Sequence, residues 1–150
     1  MFVRTAWLVL RKDMRVEIRS LEIAYTTLFF AVSCVLVFAF ALVREGEAPA
    51  DGAAGILWIA ISFAGTLALG RTFERERQAE TLRALLMAPA SRAAIYLGKL
   101  LGIIALLIGA EVVLVPLVAF LFQAPFFTHP GWLALVLVTG TIGFASVGTI

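Results

Sequence analysis

Cysteine, histidine and charged side chains are scarce in this sequence of 150 residues, and their scarcity excludes several classes of function. Cys34 is the only cysteine, so one chain can form neither a disulfide nor a metal site built from several cysteines. His129 is the only histidine, which excludes the zinc-binding signature H-E-x-x-H. The only Gly-Lys pair, at 98–99, is followed by Leu100 where a P-loop needs Ser or Thr. We therefore expect no catalysis by this chain alone, and we expect Cys34 to be a small packing residue.

Apolar residues dominate the composition. Hydrophobic residues make up 62% of the chain, charged residues 15%, and the mean hydropathy is +1.02. A soluble domain of this size cannot bury so much apolar surface, so the solvent must be lipid. A transmembrane helix needs roughly 20 apolar residues, and four runs approach or exceed that length, at 23–43, 53–70, 100–122 and 132–150. Because these runs do not alternate polar and apolar residues, we predict a single all-α polytopic membrane domain with four transmembrane helices.

The charges are distributed unevenly between the segments that flank these runs. The N-terminal segment has five basic and three acidic residues, and the segment 71–99 has six basic and three acidic residues. The segment 44–52 has one arginine against three acidic residues, and the segment 123–131 has no full charge. The positive-inside rule therefore places the N-terminus and the segment 71–99 on the cytoplasmic side of the membrane.

Residues 1–22 predict an amphipathic helix. Its large apolar residues recur at spacings of three and four and fall on one narrow stripe. Arginines lie on one flank of this stripe and acidic residues on the other, so we expect the helix to lie in the cytoplasmic interface of the membrane. Two roles stay open: the helix anchors the first span, or it also contacts a cytoplasmic partner. The stripe comprises Val3, Trp7, Leu10, Met14, Ile18 and Leu21.

The segment 71–99 predicts a cytoplasmic coupling helix that docks on another protein. Residues 73–87 are good helix formers with interspersed acids and a leucine patch, and a proline then disfavours continuation. Lysine and arginine that merely set topology or contact anionic lipid would explain the charge, but not this pattern. The candidate docking residues are Glu74, Glu80, Leu82, Leu85, Leu86 and Pro89.

A second helix is predicted to begin at Ser91 and to continue into the third span. Gly98 and Gly102 have the four-residue spacing that lets membrane helices pack closely. His129 lies in the second outer loop, where its imidazole could bind a metal ion or simply be solvated.

Glu111 interrupts the third apolar run near its middle. A carboxylate inside a membrane is costly, so this residue is a functional candidate by default. It could face a translocation path or a helix interface. Alternatively, it is a protonated carboxyl group that is hydrogen-bonded to a hydroxyl group of a neighbouring helix, with Ser33, Ser62, Thr66 and Thr139 as the candidates.

Several segments, in this order and spacing, resemble the CcmB family, the permease subunit of a haem exporter in cytochrome c maturation. They are LRKDMRVE at 10–17, GILWIA at 55–60, LAL at 67–69, RTFERE at 71–76, LLMAP at 85–89 and IYLGK at 95–99. The broader class is the ABC-2 type transporter permease. The resemblance implies six spans, so we expect a chain with four to be incomplete at its C-terminus.

The resemblance also implies partners. They are a separate ABC ATPase subunit, a haem-handling membrane subunit, a small single-span subunit and a haem chaperone, with lipid around them and no nucleic acid. Haem would be the substrate of the complex rather than a cofactor of this chain, with His129 as a weak contact candidate. Two other functions stay open: a general ABC-2 exporter of another substrate, and a scaffold subunit that transports nothing.

Overall fold

A computed structural model describes residues 2–42, 52–78 and 92–149 of this chain. In these ranges there is no strand, and a short 3₁₀ helix at Phe126–Thr128 accompanies five α-helices. Four of the α-helices contain a segment that is long and apolar enough to cross a membrane. The prediction of an all-α chain with four candidate spans is therefore confirmed. The helices are α1 (Phe2–Ser20), α2 (Glu22–Leu42), α3 (Ala53–Gln78), α4 (Arg92–Leu121) and α5 (Pro130–Gly148).

Two of the helices extend well beyond the apolar runs. α3 continues to Gln78, and α4 begins at Arg92, so each reaches eight residues into the polar segment 71–99. We expected a separate coupling helix to begin near Phe73. In the structure, residues 73–78 instead belong to α3, which continues to Gln78. No proline interrupts the backbone between residues 70 and 78, so the helix has no reason to end at the apolar boundary. The residues 79–91 lie outside the part of the chain that the structure describes.

α1 packs along the first half of α4, and small residues let the two backbones approach closely. A Cβ atom added at Gly98 would lie 2.7 Å from Val9 Cβ and 2.8 Å from the backbone oxygen of Ala6. One turn later, a Cβ atom added at Gly102 would lie 3.9 Å from atoms of Leu10 and Asp13. Gly98 and Gly102 therefore mark the place where α1 crosses the first half of α4. The four-residue glycine spacing thus forms a helix contact, as it does in membrane helix pairs.

The main apolar core lies between α2, α3 and the second half of α4. Small and branched side chains fill it, which permits close approach of helices whose outer faces are equally apolar. α3 and α5 meet where side chains of one helix lie over glycines of the other, as Trp58 lies over Gly140. Fully buried members of the core include Ala31, Val35, Ala60, Ile61, Leu114, Val118 and Phe122.

A bend at Leu21 separates α1 from α2. Leu21 has a φ of 49°, a left-handed backbone conformation that is uncommon for a residue with a side chain and that ends α1. The backbone N–H of Ala24 donates a hydrogen bond to Glu17 Oε1 at 2.7 Å. The first N–H groups of a helix have no partner within that helix, so the Glu17 carboxylate caps α2 from the preceding helix.

Candidate functional site

Glu111 lies in the second half of α4 and joins that helix to α5. Its side chain is 6% exposed, and its Oε1 accepts a hydrogen bond from the hydroxyl group of Thr141, which is 1% exposed. A polar pair that is shielded in this way satisfies both groups where lipid offers no partner. A second polar contact joins the same helices, because Tyr96 donates from its hydroxyl group to the backbone oxygen of Ser146 at 2.9 Å.

The hydroxyl groups that the sequence suggested for Glu111 are placed elsewhere. Ser33 and Thr66 donate to backbone oxygens of their own helices, and Thr139 is exposed. Ser62 is half-buried on α3, and the hydroxyl group bonded to Glu111 is that of Thr141. The actual partner, Thr141, is two positions after Thr139, which turns it about 200° around the helix to the opposite face. The sequence analysis included a hydrogen bond from a hydroxyl group to Glu111 among its alternatives, but it did not identify Thr141 as the donor. The sequence does not show how α5 is rotated about its axis.

An ion pair joins α1 to α4 beside the close glycine contact. Lys99 Nζ lies 2.8 Å from Asp13 Oδ2, and the side chains of the two residues are 5% and 20% exposed. Lys12 Nζ also lies 3.0 Å from Asp13 Oδ1. A buried lysine needs such an acidic partner, because an isolated charge is poorly solvated in an apolar environment. The sequence analysis did not predict this pair, although Asp13, an acidic residue within a mostly basic helix, was an indication of it.

The large apolar stripe of α1 mostly faces away from the rest of the protein, although Leu10 approaches Gly102 of α4. Val3 is 78% exposed, Trp7 60% and Ile18 67%, whereas the small residues Ala6 and Val9 are buried against α4. The predicted helix is present, but the face that it packs against the protein is the neighbouring one. In a lipid environment large apolar side chains lose nothing by facing outward, and small ones favour close packing.

The candidate docking residues fall mainly outside the described ranges. Glu74 is an exposed residue near the end of α3. The others in the segment 71–99, which are Glu80, Leu82, Leu85, Leu86 and Pro89, lie outside the part of the chain that the structure describes.

His129 is exposed in the connection between α4 and α5. Its Nδ1 atom lies 3.2 Å from the hydroxyl oxygen of Thr128. Within residues 2–42, 52–78 and 92–149, no group of three His, Cys, Asp or Glu side chains is placed to hold a metal ion.

Comparison with known proteins places the chain in a family. The family model described as CcmB protein matches residues 4–150. Curated relatives include proteins named Heme exporter protein B from Escherichia coli strain K12 and from Shigella flexneri, each 32% identical over 97 residues. Each match covers 64% of this chain but only 44% of the relative, so the chain spans less than half of the curated relatives that it matches. No solved structure matches significantly. The family model matches nearly the whole sequence, and the chain therefore belongs to the CcmB family.

Proposed function

We propose that this chain is a membrane permease subunit of an ABC-type complex that exports or delivers haem for cytochrome c maturation. Hydrolysis of ATP takes place on a separate subunit. The observation that carries the proposal is the family match over residues 4–150, together with relatives named Heme exporter protein B. The four apolar helices support a role within the membrane. In this proposal haem is the substrate of the complex, and this chain needs no cofactor of its own.

The proposal includes a position in the inner membrane. The basic N-terminal segment and the basic ends of α3 and α4 are on the cytoplasmic side, in accordance with the positive-inside rule. α1 lies in the interface, because its exposed residues Val3, Trp7 and Ile18 suit contact with lipid. As part of this proposal, members of the family have six spans, the number that the resemblance implies.

The segment 71–99 is the docking site for the ATPase subunit. α3 and α4 lead into it from either side without ending at the apolar boundary, so a displacement of the segment acts directly on two spans. A motor shifts the permease only if its contacts differ between nucleotide states. Glu74 and Glu80 would contribute charge to this interface, Leu82, Leu85 and Leu86 would contribute apolar area, and Pro89 would end the docking helix.

The first test is to purify the full-length protein gently from its own membranes and to identify the associated proteins by mass spectrometry. We expect an ATPase subunit together with the haem-handling membrane subunit, the small single-span subunit or the haem chaperone. An ATPase alone would favour an exporter of another substrate. No ATPase would refute the docking role of the segment 71–99.

The second test addresses coupling. Leu85→Arg or Leu86→Arg would place a charge on the apolar docking surface, and we expect ATP hydrolysis to continue without cytochrome c maturation. Gln78→Arg adds the same charge in the same segment but outside the leucine patch, and it serves as the matched control. Membrane insertion is checked by the amount of each variant in the membrane fraction. Normal maturation and normal recovery of the complex in both leucine variants would contradict the proposed interface.

A further inference from the structure

A cavity of about 610 Å³ lies where α1 bends into α2, against α4 and the second half of α3. This volume is within the range of about 300–1,000 Å³ that is typical of ligand sites. Along α4 its lining extends from Lys99 to Ala110, which is eleven residue steps and therefore about 16.5 Å of helix. This length equals about half of the ~30 Å hydrocarbon core of a bilayer, which is the depth of one leaflet. The cavity therefore has the length of one lipid monolayer.

The lining changes from charged to apolar along this length. Lys12, Asp13 and Glu17 of α1 and Lys99 of α4 line one part of the cavity, and apolar residues such as Ile103 line the remainder. Two lysines and two carboxylates balance in charge, and the ion pair between Lys99 and Asp13 lies among them. An anionic ligand would gain no net attraction from such a set. Because these groups already pair with one another, a head group joins them without adding an unbalanced charge only if it is neutral overall.

A buried hydroxyl group in the cavity wall has no partner of its own. Thr27 is 1% exposed, and among the described residues its Oγ1 atom has no hydrogen-bond partner. The neighbouring Thr26 instead donates to the backbone oxygen of Glu22 at 2.8 Å. A buried polar group without a partner is costly, so a small rotation of the Thr27 side chain towards an occupant that supplies an acceptor is favoured. The ester carbonyl oxygens of a glycerolipid are acceptors of this kind, and they lie between the head group and the acyl chains.

We propose that this cavity binds one zwitterionic phospholipid from the cytoplasmic leaflet. Its head group lies beside Asp13 and Lys99, one acyl chain follows α4 towards Gly109, and an ester carbonyl accepts a hydrogen bond from Thr27. The bound lipid fills the angle between α1 and α2. The inference depends on the membrane orientation proposed above and not on the identity of the transported substrate.

The test is native mass spectrometry of the full-length protein in mild detergent, with added palmitoyl-oleoyl phosphatidylethanolamine or the anionic phosphatidylglycerol. Gly109→Phe fills the cavity, because a Cβ atom added at Gly109 meets no atom within 4 Å. Gly143→Phe is the matched control, since a Cβ atom there is equally unobstructed and the residue lies outside the cavity lining. Thr27→Val removes the hydroxyl group at constant shape, and Thr26→Val is its control. Gel filtration checks that each variant is monodisperse.

We expect one phosphatidylethanolamine per chain in the native protein and in both controls, with weaker retention of phosphatidylglycerol. Gly109→Phe should abolish retention, and Thr27→Val should weaken it by roughly two- to tenfold, the value of one hydrogen bond. Equal retention in Gly109→Phe and the native protein would refute the site. A bound haem in place of lipid, detected by its pyridine haemochrome absorbance, would refute the lipid while leaving the proposed function intact. If the protein retained the lipid as expected but had no part in haem delivery, the proposed function would be refuted and the lipid site would remain.

Discussion

Replacing Gly98 with alanine should loosen α1 from α4. The added Cβ atom would lie 2.7 Å from Val9 Cβ, whereas ordinary contact begins at 3.4 Å, so the helices must separate by about 0.7 Å (3.4 − 2.7) at this point. The backbone oxygen of Ala6, at 2.8 Å, cannot move aside as a flexible side chain would. Overpacking of this kind costs about 1–3 kcal/mol. The ratio of undocked to docked α1 should therefore rise by roughly 5- to 150-fold.

Trypsin measures this ratio directly. Arg11 and Arg15 are exposed residues of α1, but cleavage requires the helix to open locally. When opening is fast relative to cleavage, the rate at a fixed trypsin concentration follows the population of the open form. We expect Gly98→Ala to accelerate cleavage at these two sites by the factor given above, in protein purified in mild detergent.

Gly102→Ala provides the matched control for this experiment. It adds the same methyl group one turn later on the same helix and against the same partner, but at an ordinary contact distance of 3.9 Å. Its cleavage rate should equal that of the native protein or fall slightly, since alanine favours a helix over glycine. Equal rates in Gly98→Ala and Gly102→Ala would refute the inference that Gly98 sets the approach of α1.

Three further substitutions test other helix contacts through the temperature of unfolding in detergent. Asp13→Asn removes the carboxylate charge 2.8 Å from a buried lysine and should destabilise the protein by about 3–5 kcal/mol, the usual effect of breaking a buried pair. An unchanged unfolding temperature would show that this ion pair does not stabilise the protein. Thr141→Val removes the hydrogen-bond donor to the buried glutamate and should cost about 1–3 kcal/mol, whereas Thr139→Val at an exposed position should cost little. Gly140→Ala should overlap the indole ring of α3 and destabilise the protein by about 1–3 kcal/mol, whereas Gly143→Ala, in open space, should not; equal effects would contradict the packing of α3 on α5.

The number and type of helices could be predicted from the sequence because each depends on local composition. An apolar run of about 20 residues must satisfy its backbone internally, so it becomes a helix whatever its neighbours are. The far ends of α3 and α4 were less predictable. Polar residues that follow a span allow the helix to continue or to stop, and at Gln78 and Arg92 the choice depends on more than hydropathy.

The faces of the helices could not be predicted in the same way. In water, the most apolar stripe of α1 would be buried, and Val3, Trp7 and Ile18 would identify it. In lipid, that stripe gains nothing by moving inward, so the packed face is the one that permits the closest approach. Ala6 and Val9 lie on that face opposite Gly98, and the sequence of α1 alone does not contain this information.

The same limit applies to the polar side chains inside the bundle. That Glu111 needs a partner follows from its position in an apolar run. Which hydroxyl group reaches it depends on how α5 is rotated and on its position along α4, both of which the glycine contacts between α3 and α5 help to fix. Hydropathy does not encode either quantity, and the selection of Thr141 over Thr139 is a property of the assembled helices.

Asp13 and Lys99 are in contact although they are 86 positions apart. The ribosome therefore completes α1 well before the helix that α1 contacts. At roughly 5–20 residues per second, about 4–17 s separate the translation of these two residues. α1 therefore leaves the ribosome long before its partner helix exists. Its outward apolar stripe lets it rest on the lipid surface during this interval, with Asp13 still in contact with water. Asp13 becomes shielded only when α4 arrives with Lys99, so the carboxylate and its counter-charge leave water together.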